Sequence, residues 1–148
     1  MGQYRGNEYV EHPSAKRVRI LLIVLYFLEI LITTFPFCHL PDGEGNLRVL
    51  TAFQCIIQPG GYGSPEAIKT ALICAPLLLL PAVSFFFCIL DKKTNAKNFV
   101  SGATCVINTC IITFGFASYI DIGGILSIIL YIICLFFTAM SFQASSLQ

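Results

Sequence analysis

The sequence predicts an all-α integral membrane protein, an antiparallel four-helix transmembrane bundle with one long outer loop. Three observations predict it. Charged residues make up only 11% of the chain and hydrophobic residues 56%. A soluble domain carries about 25% charged residues, so the apolar majority must face something other than water. Four apolar runs, 20–40, 68–90, 99–120 and 122–142, hold 21, 23, 22 and 21 residues. About 20 residues at a rise of 1.5 Å cross a hydrocarbon core of roughly 30 Å, so each run is long enough to span once. Lys and Arg, finally, fall unevenly between the segments that join the runs.

Each run must be helical, because backbone groups cannot go unpaired in lipid outside a helix or a closed barrel. Barrel strands alternate in polarity over about ten residues, and these runs do not. The 148 residues make one domain, with a mean hydropathy of +0.79. A cytoplasmic tail is expected over 1–19 and a membrane domain over 20–148. The first run is too long for a signal-peptide core, and no A-x-A cleavage pattern follows it. Gly6 stands where a myristoylation motif wants Ser or Thr.

Orientation follows from short-loop Lys and Arg. Arg5, Lys16, Arg17 and Arg19 precede the first run, and Lys92, Lys93 and Lys97 join the second to the third. Only Arg48 and Lys69 lie on the other side. Seven against two predicts a multi-pass protein with both termini cytoplasmic. A net charge of +1 gives no case for nucleic acid, which wants a clustered basic face. The expected partners are the lipid bilayer and a membrane protein or a second copy of the chain.

Within the second run, Ser64 suits a helix cap, Pro65 the first helical position and Glu66 the positive end of the dipole. The preceding 59–63 segment is turn chemistry. Pro76 and Pro81 each remove a backbone hydrogen bond, which predicts a kink. Asp121, followed by Gly123 and Gly124, reads as a cap on a tight hairpin turn. The outer loop, 41–67, has 27 residues and is long enough to demand structure or function. Leu47, Leu50, Phe53 and Ile57 recur at helical spacing, which predicts a short amphipathic helix lying on the membrane surface. A β-hairpin like that of claudin-type outer loops is the alternative. The absence of Trp and of paired loop cysteines removes that resemblance.

Glu29 is the tenth of the 21 residues of the first run, near the expected midplane. A charge there costs about 2.5–3.5 kcal/mol and faces a bundle interior or cavity. Desolvation penalises the ionised form, and no cation lies at matching depth, so the neutral acid is expected. Tyr26, Glu29, Thr33 and Pro36 share one face. So do Ser127, Tyr131, Cys134, Thr138 and Ser141 in the fourth run, Ser101, Cys105 and Asn108 in the third, and Pro81, Ser84 and Cys88 in the second. Such faces form bundle seams. Depth makes Glu29, Tyr26, Thr33, Asn108 and Tyr131 the expected members of one buried network. Its bland role is to bridge helices; its functional one is a proton or cation site.

Five of the seven cysteines lie in the second to fourth runs as small hydrophobes. Cys38 and Cys55 face the non-cytoplasmic side, where a structural disulfide between them is possible. No C-x-x-C pair, metal set, phosphate-cradling loop or activated nucleophile occurs, so neither a cofactor, a metal nor an enzymatic activity is expected. In span number and its single mid-helix carboxylate, Glu29, the chain is similar to the small multidrug-resistance transporters. The long outer loop, the charge bias and the lack of Trp depart from that pattern, so no family is assigned. The leading expectation is a non-enzymatic accessory or scaffold subunit acting through helix–helix and outer-loop contacts. The alternative is a small proton-coupled transporter or channel using Glu29.

Overall fold

The computed structural model describes residues 3–5, 8–10, 13–41, 46–57, 65–92 and 94–146. In chain order they form β1 (Gln3–Arg5), β2 (Glu8–Val10), α1 (Pro13–Ile32), β3 (Pro36–Pro41), β4 (Leu47–Thr51), α2 (Ala52–Ile57), α3 (Pro65–Leu90), α4 (Ala96–Phe116) and α5 (Ile122–Ser146). Helix dominates. Three helices hold segments long and apolar enough to cross a membrane, Ala71–Leu90, Ala96–Phe116 and Ile122–Gln143. Their outward residues include Leu90 and Phe114, 78% and 85% exposed, as lipid-facing side chains are. Three such helices mark a multi-pass membrane protein. By the same measure α1 is not a fourth, because Lys16, Arg17, Arg19 and Glu29 fall within its 20 residues.

The helices touch in a closed cycle. α1 lies against α3 and α5, α3 against α4, and α4 against α5. The stripe residues of each helix turn inward, with Tyr26, Ser84, Ser101, Cys105, Tyr131 and Thr138 all buried. α3 begins at Pro65 and runs unbroken through Pro76 and Pro81. The cap expected at Ser64, the 59–63 turn before it and Lys93 lie outside the described residues.

The first predicted run needs correction at its far end. α1 stops at Ile32. Thr33 and Thr34 bend their hydroxyls back onto the carbonyls of Ile30 and Leu31 at 2.6 and 2.7 Å. Pro36 then forces its predecessor out of helical geometry. Phe37, Cys38 and His39 therefore lie on a strand, though they are apolar enough to pass for helix. The opposite end is longer than expected, since Pro13 suits a first helical turn and draws part of the predicted tail into α1.

The outer loop also differs. Leu47 and Leu50 are on β4, while Phe53 and Ile57 are on α2. The chain thus builds a hairpin first and a short helix second. β3 and β4 pair antiparallel, with Cys38 opposite Leu50 and His39 opposite Val49. Thr51 and Gln54 then start α2 as a reciprocal cap: the Gln54 N–H donates to Thr51 Oγ1 and the Thr51 N–H to Gln54 Oε1, both at 3.0 Å. That is a capping box, and Thr51-Ala-Phe-Gln54 is its sequence signature. In the expected tail, β1 and β2 pair with Tyr4 opposite Tyr9, so the fold is not all-α.

β3 is seated on the start of α5. The His39 N–H donates to the Tyr119 carbonyl and the Asp121 N–H to the Phe37 carbonyl, each at 2.8 Å. A Cβ on Gly123 would stand 2.5 Å from the Pro36 carbonyl oxygen, and one on Gly124 2.6 Å from Ile120 Cγ1. Two glycines let the strand's backbone approach this closely.

Candidate functional site

The interior holds a ladder of polar side chains whose rungs are set by the inward stripes. At the end near Asp91, Asn98 Nδ2 of α4 donates to Ser141 Oγ of α5 at 2.9 Å. Further in, the Tyr26 hydroxyl of α1 meets Ser101 Oγ at 2.5 Å and Cys105 Sγ at 3.4 Å, and Ser101 Oγ meets Thr138 Oγ1 at 2.8 Å. On the α3 side, Ser84 Oγ and Thr104 Oγ1 are 2.7 Å apart. These rungs pair buried hydroxyls, which is how helices adhere where water is absent, while Asn98 Oδ1 in the first of them has no partner.

The rung nearest the β3–β4 sheet is different. Glu29 is 2% exposed. Its carboxyl takes hydrogen bonds from the hydroxyls of Ser127 and Tyr131 on α5. Asn108 Nδ2 of α4 in turn donates to the Tyr131 hydroxyl at 2.8 Å. Two buried acceptors of this group, Glu29 Oε2 and Asn108 Oδ1, have no hydrogen-bond partner. An unpaired buried acceptor costs about 1–3 kcal/mol. Both are oxygens and both adjoin the same tyrosine, so the group suits a proton, another hydrogen-bond donor or a small cation.

Of the five residues expected in one network, Glu29, Asn108 and Tyr131 come together here. Tyr26 belongs to the neighbouring rung, with Cys105 and Ser101. The Thr33 hydroxyl turns back onto the Ile30 carbonyl of α1, and the Thr33 carbonyl accepts from the Phe53 N–H of α2. Glu29 is also not at the middle of its helix but three residues from its end at Ile32. Pro36, placed by spacing on the same helical face, lies instead on β3. Ser127 is the added partner, legible as the first member of the fourth run's stripe.

The Asp91 end carries polar groups that the sequence reading left unassigned. Arg19 Nη1 donates to the Cys88 carbonyl at 3.2 Å, in the last turn of α3, where a cation meets the negative end of the helix dipole. Asp91 accepts from the Thr94 N–H and hydroxyl at 2.8 and 2.7 Å and from the Lys97 N–H at 3.0 Å. Partial burial opposes ionisation of Asp91, but these donors outweigh it and hold its carboxyl below the usual range. Asp91 thereby ties the α3–α4 turn to the first turn of α4. At the sheet end, Asp121 Oδ1 accepts from the Ile122 N–H at 2.7 Å and Oδ2 lies 3.6 Å from His39 Nδ1. The expected capping role of Asp121 is thus joined by an ion pair when His39 is protonated.

Cys38 and Cys55, the pair named for a disulfide, are brought together as thiols, with their sulfurs 3.5 Å apart. Among the described residues no group of three or more His, Cys, Asp or Glu could hold a metal ion. Compared with protein-family models, curated proteins and solved structures, the chain matches none.

Proposed function

We propose that the chain is a non-enzymatic accessory or scaffold subunit of a membrane assembly. In this reading α1, α3, α4 and α5 form an antiparallel four-helix transmembrane bundle with both termini in the cytoplasm. The supporting observation is how side chains are divided between inside and outside. The small polar stripes, which could have served as docking seams, are spent within the molecule. Outside the helices, β4 and α2 instead expose Leu47, Val49, Phe53 and Ile57. Apolar groups on an extramembrane element want a cover, which a partner protein or the bilayer surface supplies. Purification in mild detergent, followed by identification of copurifying chains, tests this. A stoichiometric partner lost on Val49→Glu with Phe53→Glu is expected. A monodisperse chain that captures nothing and whose in-cell crosslinks are unaltered by the same changes overturns it.

The second reading, a small proton-coupled transporter or channel, is favoured by the unpartnered Glu29 Oε2 and Asn108 Oδ1. Proton uptake into proteoliposomes separates the two readings, because transport predicts flux abolished by Glu29→Gln in a folded protein.

A further inference from the structure

Cys38 on β3, Cys55 on α2 and Cys74 on α3 come from three separate elements, and all three are fully buried. Cys38 Sγ and Cys55 Sγ are 3.5 Å apart. Cys55 is also hydrogen-bonded to Cys74. Cys55 is therefore the middle of a row of three thiols. No metal-binding group exists among the described residues, so the chemistry open to the row is that of sulfur with sulfur. Three thiols can close one disulfide, and the third is then left beside it. A thiol in contact with a disulfide is what exchange requires.

Both neighbours hydrogen-bond to Cys55, and these bonds outweigh burial to pull its pKa below that of a free thiol. Cys38 is pushed up by the same contact. Cys55 is thus the sulfur the other two share, and the one common to either disulfide.

We propose that Cys55 is a redox-active thiol that pairs with either Cys38 or Cys74, so that one disulfide migrates between the sheet and α3. The oxidant is a small uncharged peroxide, which can enter where a bulky disulfide cannot. The Cys55 thiolate attacks hydrogen peroxide; an S–O bond forms, the O–O bond breaks, and hydroxide leaves as water with the proton Cys55 gave up. Cys55 is then a sulfenic acid. The Cys38 sulfur attacks it, an S–S bond forms, the S–O bond breaks, and a second water leaves with the Cys38 proton. Two thiols and one peroxide have become one disulfide and two waters. Migration needs no further oxidant. The Cys74 thiolate attacks Cys55, and Cys38 leaves as a thiolate that takes the proton Cys74 released. One form ties the hairpin to α2; the other ties α2 to α3 and releases the hairpin.

The test treats the full chain in detergent with hydrogen peroxide, blocks free thiols and maps linked peptides by mass spectrometry. Both Cys38–Cys55 and Cys55–Cys74 peptides are expected in the unaltered chain, with at most one disulfide among these three cysteines per molecule. Cys38→Ser should leave only Cys55–Cys74, Cys74→Ser only Cys38–Cys55, and Cys55→Ser or Cys55→Ala neither. A Cys38–Cys74 bond, a single pair in the unaltered chain, or no bond at Cys55 at peroxide levels that oxidise the exposed Cys110 overturns the proposal. The map of the unaltered chain decides even if a variant fails to fold.

Discussion

Glu29 brings a carboxyl to a place where Ser127 and Tyr131 donate to it while its Oε2 finds no donor. Two substitutions separate what that asymmetry is for. Glu29→Gln keeps the size and most hydrogen bonds, whereas Glu29→Leu strands the Ser127 and Tyr131 hydroxyls. A structural acid predicts Gln tolerated and Leu destabilising by about 0.5–2 kcal/mol, the range for interhelical hydrogen bonds in membranes. Thermal unfolding in detergent measures it, and a Leu variant as stable as the unaltered chain would remove the structural role. Asp91 makes a second prediction, set by pH. Its carboxyl is held below the ordinary value of 3.8 in the folded chain. Its stabilisation is therefore complete above that value and is lost as pH falls through the lower, folded one. Asp91→Asn should cost about 1 kcal/mol or less at neutral pH, since the site is partly solvated. The gap from the unaltered chain should begin to narrow below about pH 4 and narrow further as the pH falls. A gap that does not narrow under acid at all would mean that the carboxylate's charge is not the source. Glu29 was legible because a carboxyl is rare in an apolar run. Its partners were legible only by stripe, since helical spacing says which residues share a face and not which rung of another helix they meet.

β3 and the start of α5 form the joint where element-scale chemistry is tightest. Gly123→Ala would drive a methyl against the Pro36 carbonyl, a backbone atom with little freedom to yield. A loss of about 1–3 kcal/mol is expected, as for overpacking elsewhere. Gly124→Ala meets mainly the Ile120 side chain, which can turn aside, so its cost should be smaller. Melting temperatures of the two variants check the order, and equal costs would contradict the seating of β3 described above. The sequence shows a glycine pair here but not what approaches it, because the partner strand lies more than eighty positions away. The hairpin, raised only as the alternative reading of the outer loop, was set aside for a related reason. Leu47, Leu50, Phe53 and Ile57 fit a helical period, yet the first two lie on a strand and the last two on a helix. Four positions cannot distinguish one helix from a strand that hands over to one. The Thr51–Gln54 capping box marked the handover.

Across the whole molecule, composition and run length made the membrane class legible, and three apolar helices bear it out. The first run mixed helix with strand, and only the backbone break at Pro36 separates them. Orientation belongs to this scale. A reporter fused after Gln148 and a label placed at Lys93 should both report cytoplasm, while a thiol probe at a cysteine introduced at Arg48 should report the opposite side. A C-terminal reporter on the outer side would mean an odd number of crossings and would remove α1 or another helix from the count. The seating of β3 on Tyr119, Asp121 and Gly123 also sets an order of events during synthesis. The hairpin emerges early, but the surface that receives it is made only when the last helix begins. Contacts so distant in sequence form late and slowly. Until then the Phe37 carbonyl and the N–H of His39 await a neighbour, and a nascent chain stalled before α5 would hold an open strand edge at the membrane surface.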